Sequence, residues 1–84
     1  MNVRNGNSEK YRDELIETGL NIGFIRRKRG MTQEQLAEKA GLSTGFISQI
    51  EAPNLSVSTS LPTLFAIAAA LEVPAYRLIM FDEL

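Results

Sequence analysis

Eighty-four residues, 44% hydrophobic and 23% charged, suffice for one small domain and exclude a wholly disordered chain or a repeat array. The sequence has no cysteine and no histidine, which removes disulfides, cysteine zinc sites and histidine-based catalysis, and fits a reducing cytosol. The net charge of −1 conceals an uneven spread: seven cations face four carboxylates from Met1 to Arg29, whereas two cations face six carboxylates from Gly30 to Leu84.

Along the chain, Met1 to Lys10 is polar and aperiodic, and is expected to be a flexible tail lacking a signal peptide's apolar stretch. Residues 11–84 form the expected domain. A helical pattern begins near Tyr11 or, because Gly19 and Gly23 weaken a helix interior, near Thr18. Leu15, Ile22 and Ile25 keep helical spacing, and Gly30 stands where a helix C-terminal glycine is common. The run Arg26 to Arg29 reads either as a basic face or as a solvated helix end that complements the helix dipole.

Thr32-Gln33-Glu34-Gln35 has the form of a capping box, so a second helix is expected from Gln33, burying Leu36, Ala37 and Ala40 and ending at Gly41. Ser43 offers another N-cap two residues later, for a short helix carrying Phe46, Ile47 and Ile50 and stopped by Pro53. Ala52 to Ser60 reads as a loop. A fourth helix follows Ser60, with Pro62 in its first turn and Leu64, Ile67, Ala68 and Leu71 on one face. Val73-Pro74 breaks it, and Tyr76 to Phe81 leaves room for a fifth short helix. The longest apolar run, Leu64 to Leu71, is too short to span a bilayer, so no membrane partner is expected.

Residues 32–51 combine a small residue at the helix crossing (Ala37), a turn glycine (Gly41), a capping serine (Ser43) and isoleucines for the interhelical angle (Ile47, Ile50). A packed helix-turn-helix needs all of these in register. Gly30-Met31-Thr32-Gln33-Glu34-Gln35-Leu36-Ala37-Glu38-Lys39-Ala40-Gly41-Leu42-Ser43, followed by Ile47-Ser48-Gln49-Ile50-Glu51, resembles the phage-repressor and Cro-like helix-turn-helix (XRE) family. The likeness extends from about Gly19 to Leu78. It implies a five-helix, all-α domain whose third helix enters the major groove of double-stranded DNA, commonly as one half of a homodimer on a palindromic operator.

Carried over by position, the resemblance places Thr44, Gly45, Ser48 and Gln49 at base edges, with Gln49 able to pair bidentately with adenine. Gln33 and Ser43 fall at backbone-contact positions; Arg27, Lys28 and Arg29 are left as the freer cations of the basic run, and Arg27 and Lys28 join the backbone contacts. Phe46 fits either an apolar contact to sugar or thymine, or partly buried packing. Arg26 and Glu51 match a structural ion pair in that family. Departures from the family's pattern are Gly23 in place of a helix former, a loop after Glu51 about two residues longer than the common spacing, and the lack of any cation between Lys39 and Arg77. The last makes the electrostatic share of DNA affinity small.

The leading expectation is therefore a sequence-specific transcriptional regulator, more often a repressor, acting in the cytoplasm by occupancy, with no cofactor, metal or chemistry of its own. The poor basic content of the third to fifth helices favours an alternative: an antitoxin-like or adaptor protein that binds a partner protein. The carboxylates lack any companion set with catalytic logic, so an enzyme is not expected. Tyr76, Ile79, Met80 and Phe81 crowd the final turns with apolar surface and are the expected dimer interface, against the alternative that Tyr76 and Phe81 fold back onto the first helix.

Overall fold

The computed structural model describes residues 10–80. They form α1 (Arg12–Lys28), α2 (Gln33–Ala40), α3 (Thr44–Glu51), α4 (Leu61–Leu71) and a closing 3-10 helix (Ala75–Ile79), and no strand occurs among them. The class is all-α, but the fifth element is 3-10 rather than α-helical. Pro74 fixes its start, the segment is only five residues long, and its first bond, Arg77 N–H to the Pro74 carbonyl at 3.0 Å, is the short i to i+3 kind. Most of the polar start, residues 1–9, lies outside the described residues, as does Phe81.

Local chemistry sets the starts of three helices. At α2 the box closes in both directions: Gln35 N–H donates to Thr32 Oγ1 at 3.0 Å, and Thr32 N–H donates to Gln35 Oε1 at 2.8 Å. Ser43 Oγ accepts from Phe46 N–H at 3.1 Å to start α3, and Ser60 Oγ accepts from Thr63 N–H at 3.3 Å to start α4. Helix α1 has no side-chain cap at Tyr11, and it begins at Arg12 rather than Thr18, so Gly19 and Gly23 both lie in its interior.

Three helices end in the same way. Gly30, Gly41 and Glu72 adopt left-handed backbone conformations, and the residue after each, Met31, Leu42 or Val73, donates its N–H back to Arg26, Ala37 or Ala68. Those following residues are apolar and pack on the core, so each helix end is pinned by a hydrogen bond and a hydrophobic contact. Glycine adopts this conformation without penalty, whereas Glu72 adopts it against the steric preference of an L-residue.

The core draws Ile22 and Ile25 from α1, Leu36 and Ala37 from α2, Ile47 and Ile50 from α3, Ile67, Ala68, Ala70 and Leu71 from α4, and Leu78 from the 3-10 helix. Each fully buried Ile or Leu among them contributes about 1.5–3 kcal/mol of transfer free energy. Asn21 on α1 closes the far end: its Nδ2 donates to the carbonyls of Arg77 at 2.7 Å and Leu78 at 3.0 Å, fixing the last element over the core. No helix among the described residues is long and apolar enough to cross a membrane.

Candidate nucleic-acid interface

Helix α3 divides its residues cleanly. Ile47 and Ile50 are buried, while Thr44, Gly45, Ser48 and Gln49 are exposed and form one outward face, extended by exposed Ser43 at the cap. Nothing lies within 4 Å of the place a Gly45 Cβ would occupy, so that face has a flat, open centre. Phe46 is half-buried and packs against the core. Ser43 already accepts a hydrogen bond from the Phe46 amide, which leaves its own hydroxyl hydrogen free to donate. The face offers hydroxyls and a carboxamide but no charge.

Rigidity comes from below. Arg26 and Glu51 form a two-pronged ion pair, Nε to Oε2 at 2.7 Å and Nη2 to Oε1 at 2.9 Å, with side chains only 11% and 6% exposed. Arg26 Nη1 also donates to the Met31 carbonyl at 2.7 Å. The Glu51 hydrogen bonds hold the Arg26 pKa above its usual value, outweighing the opposite effect of burial, so the guanidinium is charged at any working pH. The pair joins the last turns of α1 and α3. Gln33, expected at a backbone contact, enters the same cluster by donating from Nε2 to Glu51 Oε1 at 3.0 Å.

The three freer cations of the basic run part company. Arg27 reaches back along α1, its Nη1 3.2 Å from where a Gly23 Cβ would sit, beside Glu51. Lys28 instead lies over the Phe24 ring at 5.7 Å and lines a shallow groove with Arg29, Glu72, Tyr76 and Arg77. Arg29 is tied by Nη2 to the Glu72 carbonyl at 3.2 Å. The structure thus puts Arg27 on the Gly23 side of α1 and Lys28 in a different neighbourhood.

Sequence reasoning missed the glycines that make this geometry possible. A Gly19 Cβ would strike the Ile50 carbonyl, and a Gly23 Cβ would sit 3.1 Å from Glu51 Cδ and Oε1. The only signal was two helix-weakening residues one turn apart in an otherwise good helix. The expected dimer residues Tyr76, Ile79 and Met80 are 61%, 54% and 54% exposed, and Tyr76 borders the groove that Lys28 and Arg29 also line. Leu55, Leu61 and Phe65 add exposed apolar surface that the sequence reading had not marked. Among the described residues no cluster of acidic side chains could hold a metal ion.

Residues 22–78 match the helix-turn-helix family, and the chain belongs to that family. Among curated proteins it resembles the immunity repressor protein of Bacillus phage phi105, with 43% identity over 58 residues, 69% of this chain. The match spans 39% of that relative's length. Among solved structures it resembles the restriction-modification controller protein C.AhdI from Aeromonas hydrophila, with a TM-score of 0.73, 26% identity, and coverage of 79% of this chain and 97% of the other.

Proposed function

We propose that this chain is a sequence-specific DNA-binding transcriptional regulator, a repressor, that reads the major groove with the outward face of α3. The observation that carries the reading is that one helix presents Thr44, Gly45, Ser48 and Gln49 to solvent while its opposite side is locked by Ile47, Ile50 and the Arg26–Glu51 pair. Base reading needs such a surface: polar, uncluttered and held at a fixed angle. The phage immunity repressor and the controller protein named above support it by family and by fold.

In this reading Gln49 and Ser48 contact base edges, Thr44 meets a thymine methyl or a phosphate, and Gly45 lets the helix approach closely. Gln33 at the start of α2, Ser43 at the start of α3 and Arg27 grip the phosphate backbone, and Phe46 contributes packing. Lys28, set over Phe24, has a lesser part. Regulation follows from occupancy in the cytoplasm, with no chemical step. Two copies meet through Tyr76, Ile79 and Met80, with Leu61 and Phe65 as further apolar surface, and bind a palindromic site.

The uncharged face of α3 favours a second reading, an adaptor that uses this fold to bind a partner protein. Selection from a random duplex pool at low and moderate salt separates the two. A regulator enriches a motif with two-fold symmetry; an adaptor enriches none.

A further inference from the structure

Glu51 accepts three hydrogen bonds, from Arg26 Nε, Arg26 Nη2 and Gln33 Nε2. A carboxylate has no hydrogen to give, so the Gln33 atom facing it is the amino nitrogen. The carboxamide is planar, and this one bond fixes the direction of its second N–H. Around it, most donors at the opening of α2 are occupied. Met31 N–H is bonded to the Arg26 carbonyl, Thr32 N–H to Gln35, Gln35 N–H to Thr32, and Leu36 N–H to the Thr32 carbonyl. The backbone N–H groups of Gln33 and Glu34, in the first turn, have no partner among the described residues.

We propose that Glu51, seated against the bare backbone of Gly23, is a positioning residue that holds the Gln33 carboxamide as a preset phosphate donor beside these two open N–H groups. The inference rests on the DNA-binding reading and adds a named device to it. Glu51 cannot swing freely, because Arg26 holds both its oxygens and is itself tied to the Met31 carbonyl. A Cβ at position 23 would lie 3.1 Å from Glu51 Cδ and Oε1 and 3.2 Å from Arg27 Nη1; exposed Arg27 can swing aside, and Arg27→Ala is the control for its share, whereas the carboxylate would have to give by a few tenths of an ångström. That displacement falls on its least anchored partner, Gln33. An unheld glutamine loses rotamer freedom when it binds; one already held has lost it in the free protein.

The test uses the duplex that the wild-type protein enriches from a random pool, remade with single methylphosphonate linkages, each removing one phosphate charge. Wild-type protein should lose about tenfold more affinity at one linkage than Gln33→Ala does, the scale of one charge-assisted hydrogen bond, the smaller loss in Gln33→Ala being that of the two backbone N–H groups. In Gly23→Ala, verified as folded by circular dichroism, the response at that linkage should fall to the Gln33→Ala level while the other linkages keep their wild-type penalties. A merely structural effect would weaken all duplexes alike and keep the tenfold difference from Gln33→Ala, which overturns the proposal. In DNA-free wild-type protein, one Gln33 side-chain amide proton should resonate downfield and exchange slowly, and Gly23→Ala should remove that signature. A freely exchanging Gln33 amide in wild type overturns the proposal without any variant. If no duplex is enriched, the DNA-binding reading falls and takes this one with it; enrichment with an unmoved linkage response overturns this one alone.

Discussion

The backbone of Ile50 rests on the backbone of Gly19, with the Ile50 carbonyl carbon 2.9 Å from where a Gly19 Cβ would be. Helix α3 therefore reaches α1 at a separation that no side chain at position 19 permits. Gly19→Ala adds about 1 kcal/mol of helix propensity yet must push two backbones apart, and the second effect wins. The expected loss is at least about 3 kcal/mol, out of a total of about 4–12 kcal/mol for a domain of this size. Urea denaturation measures it, and an unchanged midpoint would mean the helices do not touch there.

For Arg26 and Glu51, burial decides the magnitude. Either single replacement strands a desolvated charge and should cost roughly 3–5 kcal/mol, whereas an apolar pair such as Arg26→Met with Glu51→Leu should recover much of the loss. A double-mutant cycle that gives no coupling would contradict the two-pronged geometry. The sign of the pH dependence follows from the raised Arg26 pKa: this contribution is fully present below the unfolded value and is lost only as pH rises through the still higher folded one. No alkaline loss from Arg26 is expected below the unfolded value.

Glu72 occupies a left-handed position, with φ 59°, that glycine fills at the ends of α1 and α2. Its carboxylate gains only an exposed contact to Lys39 at 3.8 Å, and the Arg29 bond goes to its backbone carbonyl, which any residue supplies. Glu72→Gly should therefore stabilise the domain by about 0.5–1 kcal/mol and raise Tm by a few degrees. A lower Tm would show that the ion pair outweighs the backbone preference.

Gln49→Ala should leave stability within about 0.5 kcal/mol of wild type, since the side chain is exposed, yet cost about 1–3 kcal/mol on the selected duplex and relax preference at one base position. Gly45→Ala makes the complementary case. It should stabilise α3 by about 0.5–1 kcal/mol because the site is empty, and weaken DNA binding because the methyl stands between helix and groove. Stability from denaturation set against affinity from titration separates the two effects, and unchanged affinity would place Gly45 away from the duplex.

Apolar exposure at Tyr76, Ile79 and Met80 predicts self-association. Replacing Ile79 with serine should give a folded protein that sediments as a monomer and binds its site more weakly. Wild-type protein that remains monomeric at high micromolar concentration would refute association through this end in the absence of DNA.

The capping signals and the apolar period were legible because each acts within four or five residues: Thr32 with Gln35, Ser43 with Phe46, Ile47 with Ile50. Arg26 and Glu51 came from resemblance, since nothing local ties residues 25 positions apart. Resemblance alone gives Gln33 a phosphate contact, and its bond to Glu51 depends on how α2 and α3 meet. Gly19 and Gly23 read as weaknesses of α1 because propensity counts only the helix itself, while their value lies in what α3 places against them. Asn21 gave no signal either: its carboxamide serves carbonyls of a 3-10 turn more than fifty residues away. The 3-10 geometry was likewise hidden, because Val73-Pro74 announces a break without fixing the hydrogen-bond pattern that follows.

One helix carries two disjoint jobs, with Ile47 and Ile50 facing inward and Thr44, Ser48 and Gln49 outward. The outward side chains are no part of the buried core, so most exchanges there should stay within about 0.5 kcal/mol of the starting stability. For a lineage of regulators working in the proposed way, this frees the evolution of new operators from the constraint of staying folded. Duplicated copies can drift to different targets by changing three or four surface residues, without a compensating change in the interior.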